Sequence, residues 1–197
     1  MSATRIPLPG ADVRYFADAF AGEADALRDA LLREIPWERH RIRLFGREVD
    51  SPRLSCWIGD TDAIYTYSRT RFEPHPWTPA LSAIREALAA RFGLHFNSVL
   101  ANLYRDGRDS MGWHSDDEPE LGADPVIASL SFGAVRRFRF RSRETRKVTL
   151  EIDLAHGALL VMRGATQRLY QHDLPKSARV AGARVNLTFR RIEATVS

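Results

Sequence analysis

The stretch Arg184-Val185-Asn186-Leu187-Thr188-Phe189-Arg190 alternates without a break between polar and apolar side chains. A β-strand sends successive side chains to opposite faces, so Val185, Leu187 and Phe189 share one face and Arg184, Asn186, Thr188 and Arg190 the other. The first face reads as core. The second is wholly polar, with a guanidinium at each end. A half-buried strand with a solvated face has the same alternation. Six residues of strand span roughly 20 Å, and two arginines leaning inward leave a gap suited to a small dicarboxylate. The guanidinium fork suits two-point carboxylate binding better than a lysine does.

Other short strands lie upstream of this one. Residues 99–104, 126–132 and 137–141 carry strand patterns, and Val148, Leu150, Ile152 and Leu154 alternate with polar partners. His156-Gly157 turns the chain into the apolar run 158–162. Many short strands separated by turn signals predict an α+β, mainly β chain built as a sandwich or jelly roll. Two helices are predicted ahead of it. Ala24, Leu27, Leu31 and Ile35 recur at helical spacing, and Pro36 ends that element. Thr78 can cap a second helix, Pro79 suits its first turn, and Leu81, Ile84, Leu88 and Phe92 form one face before Gly93. Between the helices, residues 52–70 read as short strands and turns, with Ile64, Tyr65 and Tyr67 favouring strand.

Composition sets the outer bounds. The 197 residues are 44% hydrophobic and 27% charged, ordinary values for a folded domain. The single cysteine, Cys56, excludes an intrachain disulfide and a cysteine-built zinc site. The first twelve residues carry no signal-peptide pattern, and the run 158–162 is far too short to cross a bilayer. A single domain over 1–197 is expected, a monomer in a reducing cytoplasm, with no membrane contact. The formal net charge is only +4, so the placement of charge matters more than its sum.

One histidine has a carboxylate two residues on, in His114-Ser115-Asp116. In an extended segment the two side chains face the same way and can reach one ion. His172 follows the apolar run and can supply a third ligand. Two histidines and one carboxylate leave the remaining positions of a metal open, as in non-haem Fe(II) oxygenases. The tripeptide alone is weak evidence, because it is common in ordinary surface loops. Asn102 and Tyr104, also two apart, add neutral donors.

Taken together these residues resemble the AlkB branch of Fe(II)- and 2-oxoglutarate-dependent dioxygenases. The matching text is Asn102-Leu103-Tyr104, Gly112-Trp113-His114-Ser115-Asp116-Asp117-Glu118, Ile127-Ala128-Ser129-Leu130-Ser131-Phe132-Gly133, His172, and Arg184-x-Asn186-x-Thr188-x-Arg190. The resemblance runs from about residue 52 to 192. It implies a double-stranded β-helix, or jelly-roll, core over 96–192, with flanking N-terminal helices and a nucleotide-recognition lid over 40–72. It implies Fe(II) on His114, Asp116 and His172. It also implies 2-oxoglutarate on Asn102, Tyr104, Arg184, Asn186, Thr188 and Arg190, with O2 as the second cosubstrate. Arg184, Asn102 and Tyr104 would take the distal carboxylate, and Arg190 with Asn186 the end near the metal.

Substrates differ within such a family and must be read elsewhere. Arg136, Arg137, Arg139, Arg141, Arg143, Arg146 and Lys147 face one acid, Glu144, in their segment, and Arg39, Arg41, Arg43 and Arg47 form a second run. Such runs suit a phosphate backbone, although charge on a sheet edge also blocks aggregation. Arg53, Arg137 and Arg139 are the expected DNA contacts. The segment from Pro52 to Ser68 resembles the lid of the DNA-repair homologues. That likeness places Tyr67 against a flipped base with His114 on its far side, and Tyr65 within hydrogen-bonding reach of it. Leu44-Phe45-Gly46 resembles a finger that wedges into duplex DNA, although Phe45 can equally be a core anchor. Asp117 and Glu118 would favour cationic bases, or Asp117 would pair with a nearby arginine.

The expected activity is oxidative demethylation of N1-methyladenine and N3-methylcytosine in single- or double-stranded DNA, RNA being a further candidate. Formaldehyde, succinate and CO2 would be released. Alternatives are a family oxygenase acting on RNA or protein, a non-catalytic nucleic-acid-binding module, or a zinc hydrolase with the same three ligands. The complete set of His114, Asp116, His172, Arg184 and Arg190 argues against the binding module, and the hydrolase has no use for the paired arginines.

Overall fold

The computed structural model describes residues 2–44, 47–63, 65–67 and 70–193, and the side chains at 42–48 and 64–72 lie outside that description. Strands β1 (Thr4–Ile6) and β2 (Asp12–Phe16) precede helix α1 (Ala24–Glu34). Two small hairpins follow, β3 (Arg41–Leu44) with β4 (Arg47–Asp50) and β6 (Tyr65–Tyr67) with β7 (Thr70–Phe72), and β5 (Leu54–Gly59) lies between them. Helix α2 (Pro79–Phe92) leads into β8 (Ser98–Tyr104), β9 (Met111–His114), β10 (Ile127–Gly133), β11 (Arg136–Ser142) and β12 (Val148–Leu154). Then come β13 (Ala158–Arg163), the one-turn helix α3 (Thr166–Leu169), β14 (Tyr170–Leu174) and β15 (Arg184–Arg190).

The helices end where local chemistry dictates. The Thr78 hydroxyl accepts from the Leu81 amide, Pro79 opens the first turn, and Gly93 stops α2 at φ 64°. A left-handed residue there costs glycine little and other residues more. Helix α1 stops before Pro36, whose ring disfavours helical backbone at the preceding Ile35.

The strands form two antiparallel sheets. The larger has the order β1-β2-β13-β10-β15-β8-β5, the smaller β12-β11-β14-β9. One core lies between the helices and the large sheet, where Leu31, Leu81, Ile84 and Leu88 meet Val99, Val185, Leu187 and Phe189. The other lies between the sheets, joining Ile127, Leu160 and Met162 to Phe138, Phe140 and Leu174. This is the jelly-roll arrangement, with the two helices covering one face of the large sheet. That sheet also recruits β1, β2 and β5 from outside 96–192, and β5 falls within 40–72. The layered structure is therefore wider than the span expected for the core.

Arg136 departs most from its expected place. The sequence places it in a basic run suited to a phosphate backbone, yet it is 1% exposed. Its guanidinium donates to the carbonyls of Asp106, Asp109 and Pro175 at 3.1, 2.8 and 2.7 Å, so one side chain pins two loops. Burying the charge costs energy, and those three carbonyls would lose their partner without it. Arg136→Met is expected to lower stability by about 3 kcal/mol or more, against less than about 1 kcal/mol for Arg137→Met. The urea midpoints of the two variants decide it.

Candidate metal and cosubstrate centre

Strand β15 lies between β8 and β10, and its pairing gathers the polar residues. Arg184 stands opposite Tyr104 and Asn186 opposite Asn102 on β8, while Asn186 and Thr188 stand opposite Ser131 and Ser129 on β10. Period two then turns all these side chains toward the gap between the sheets. The polar face is not solvated: Arg184 is 1% and Arg190 4% exposed.

The buried groups form one network. Arg184 Nη2 donates to Ser131 Oγ and Asn186 Oδ1, both at 2.8 Å. The Asn186 amide donates to Thr188 Oγ1 at 3.0 Å. The Arg184 guanidinium lies 5.4 Å from the Tyr104 ring centroid. Burial pulls Arg184 down to about 10 against the pull of Tyr104, so it stays charged at neutral pH. Among the described residues its Nε and Nη1 make no hydrogen bond, and Tyr104 is the neighbour that supports its charge. Two buried donors on a cation are costly unless an anion answers them. A carboxylate fits this donor pair.

Beside this network lies the ion-binding candidate. His114 ends β9, Asp116 follows in the connecting loop, and His172 lies on β14 directly opposite His114. Each of the three offers one ligand atom, all within 4.8 Å of one another. Among the described residues no other such group occurs. The imidazole rings meet edge to face with centroids 4.2 Å apart. His114 Nδ1 donates to the Gly112 carbonyl at 2.9 Å, which leaves Nε2 unprotonated for a metal. Arg190 Nη2 donates to Asp116 Oδ1, and Asp116 Oδ2 lies 3.6 Å from His172 Nε2. Two imidazoles, a carboxylate and a nearby carboxylate receptor make the donor set that Fe(II) with 2-oxoglutarate requires. Both subsites line one cavity, closed by Leu100, Met111, Phe138, Met162 and Leu174.

Electrostatics keep the ligands ready. Burial pushes His172 down to about 3, helped by His114. Burial likewise lowers His114, against the pull of Asp116. For Asp116 burial opposes the charge, but Arg190 and the two histidines overrule it and hold the carboxyl at about 2.

Several expected contacts have other partners. Arg137 pairs with Asp153 and Glu151 at 3.0 and 3.1 Å. Arg139 grips the buried Asp173 with two bonds, at 2.8 and 2.5 Å. Arg141 and Arg146 donate to Gln171, and Arg143 to Asp117 at 2.5 Å. The run is therefore not unopposed: its partners sit on β12, β14 and the metal loop. Arg53 Nε donates to Asn102 Oδ1 at 2.7 Å, which ties it to the cosubstrate network. Glu118 is half-buried. Phe45 lies outside the described residues, and so do the side chains of Tyr65 and Tyr67. Ser129, Ser131 and Gln167 were missed as site residues. The alternation Ser129-Leu130-Ser131 carried a signal for the first two.

With the geometry in place, the chain can be set beside known proteins. A family model described as the 2OG-Fe(II) oxygenase superfamily matches residues 13–190, and the chain belongs to that family, in its AlkB branch. It is 43% identical over 179 residues to "Alpha-ketoglutarate-dependent dioxygenase alkB homolog 3" of Bos taurus, covering 86% of this chain and 62% of that relative. It is 38% identical to "DNA oxidative demethylase ALKBH2" of Homo sapiens, covering 93% of this chain and 74% of the relative. The chain thus spans less than two thirds of the bovine relative. The solved structure of OsALKBH1 superposes with a TM-score of 0.60 at 18% identity, over 96% of this chain and all of that one, which is a likeness of fold.

The lowered groups set a pH dependence. Below an ordinary imidazole value of about 6.5, the unfolded chain takes up protons that folded His172 and His114 refuse. Stability of the metal-free protein therefore falls as pH drops from that value toward about 3 for His172, and Asp116 adds a loss between 3.8 and about 2. Each imidazole contributes a slope of up to about 1.4 kcal/mol per pH unit. Urea unfolding between pH 7 and 4 should show the decline, and a level profile would contradict neutral imidazoles at His172 and His114.

Proposed function

We propose that the protein is an Fe(II)- and 2-oxoglutarate-dependent oxidative demethylase of alkylated bases in DNA, with N1-methyladenine and N3-methylcytosine as substrates. The observation that carries this is the His114–Asp116–His172 group, with Asp116 and His172 buried and His114 half-buried, sharing one cavity with Arg184, whose Nε and Nη1 make no hydrogen bond among the described residues. The name of one relative, DNA oxidative demethylase, supports DNA as the substrate class.

In this reading His114, Asp116 and His172 hold the iron. Arg184 receives the far carboxylate of 2-oxoglutarate, with Asn102 and Tyr104 beside it. Arg190, Asn186 and Thr188 line the end toward the metal. Arg53 fixes the Asn102 amide so that its NH2 faces away from the guanidinium. Bound iron and cosubstrate supply the oxidation of an N-methyl group by O2, with succinate, CO2 and formaldehyde as products. Phe138 stacks on His172 at 5.1 Å and helps keep water from the ligands. Tyr67 would stack on the flipped base opposite His114, and Tyr65 would hydrogen-bond near it. Phe45 would fill the gap left in a duplex. Arg143 already holds Asp117, so in the free protein this carboxylate orders the metal loop.

Incubation with Fe(II), ascorbate, 2-oxoglutarate and an oligonucleotide bearing one N1-methyladenine should remove the mass of the methyl group. Succinate formed with no change in oligonucleotide mass would move the search to other substrates. His114→Ala and Asp116→Ala are each expected to abolish turnover in a folded protein. Arg184→Gln should raise the KM for 2-oxoglutarate by tenfold or more, about the 1.4 kcal/mol of one charge-assisted contact. Phe45→Ala should weaken action on duplex far more than on single strands, and equal loss on both would remove the finger role.

A further inference from the structure

Asp116 sits in a segment, residues 115–118, that belongs to no strand or helix. The residue is 2% exposed, so its amide N–H has neither a ladder partner nor water to meet it. Gln167 provides the partner: its Oε1 accepts from the Asp116 amide at 2.9 Å. Gln167 is itself 2% exposed and belongs to α3, the single turn that leads directly into β14 and His172. One buried side chain therefore joins the two ligand-bearing segments.

The orientation of that side chain is fixed. Asp116 offers a donor, so only the amide oxygen can face it. The Gln167 NH2 then points to Met162 Sδ at 3.5 Å, a weak acceptor that completes the pairing without competing for the oxygen. On either side, Ser115 Oγ donates to the Tyr170 carbonyl at 2.9 Å, and Arg143 donates to the Gln167 carbonyl at 3.1 Å.

We infer that Gln167 is a positioning residue for the metal site: through the Asp116 amide it presets the carboxylate against His172 before any ion arrives. The role rests on the proposed metal reading. Partners that orient a ligand in this way commonly govern metal affinity by 10–100-fold. A purely structural hydrogen bond would affect melting and leave the affinity of the folded protein alone.

The test uses metal-free protein titrated with Mn(II) by calorimetry and with Co(II) by its visible spectrum, well below the melting temperature. Gln167→Met is expected to weaken both ions at least tenfold and to change the Co(II) band shape. Gln167→Glu keeps the acceptor and should retain the affinity. Leu31→Ala, in the helix-side core, should lower melting while leaving affinity unchanged. Full affinity in Gln167→Met would overturn the role while leaving the metal site standing. A wild-type chain that binds neither ion would remove the metal reading and this role with it. A further measurement needs no variant. In metal-free wild-type protein the Asp116 amide should exchange with solvent far more slowly than that of exposed Asp117, and equal rates would overturn the preset geometry.

Discussion

Two guanidinium groups buried on one central strand are the constraint around which the rest is arranged. Placing Arg184 and Arg190 away from water demands that every neighbour answer their charge. Asp116 answers Arg190, and Ser131, Asn186 and the Tyr104 face answer part of Arg184. The serines of β10 and the polar residues of β8 sit where strand pairing brings them to the arginines. The outer face of the same strand packs Val185, Leu187 and Phe189 against the helices. Apolar burial on one side holds in place the costly polar burial on the other.

The small sheet depends on this arrangement and completes it. It brings His114 and His172 face to face, and Arg190 reaches across from the large sheet to fix the carboxylate between them. The metal candidate is thus divided between the layers, and the jelly roll must close before it exists. Burial then keeps the histidines neutral, while Arg190 holds the aspartate charged against that burial, and these are the states a divalent ion requires.

Much of this was legible in the sequence wherever the signal is local. The alternation in 184–190 gave the strand and its two faces. Thr78, Pro79 and Gly93 gave the limits of α2. His114-Ser115-Asp116 gave two ligands. What escaped is contact between residues distant in the chain. Arg136 looks like its neighbours in a basic run, and only the loops at 106–109 and 175 make it a buried pin. Arg139 looks unopposed because Asp173 lies 34 positions away. Gln167 has no neighbour in sequence that hints at Asp116. Counting charges along a chain misreads sheets, in which acids and bases meet across strands.

The register of β9 on β14 has one further consequence. His114 faces His172 across an antiparallel pair that carries an irregularity immediately afterwards, between His172 and Leu174. A shift by one residue on β9 would turn Trp113 inward and His114 out, because strand side chains alternate. Chain length is therefore frozen between β9 and the metal loop. The turn at 143–147 lies beyond the last paired residues of β11 and β12, yet Arg143 and Arg146 tie it to the metal loop and to β14. A residue added or removed between β9 and the metal loop would therefore separate the two histidines that the antiparallel pair brings together.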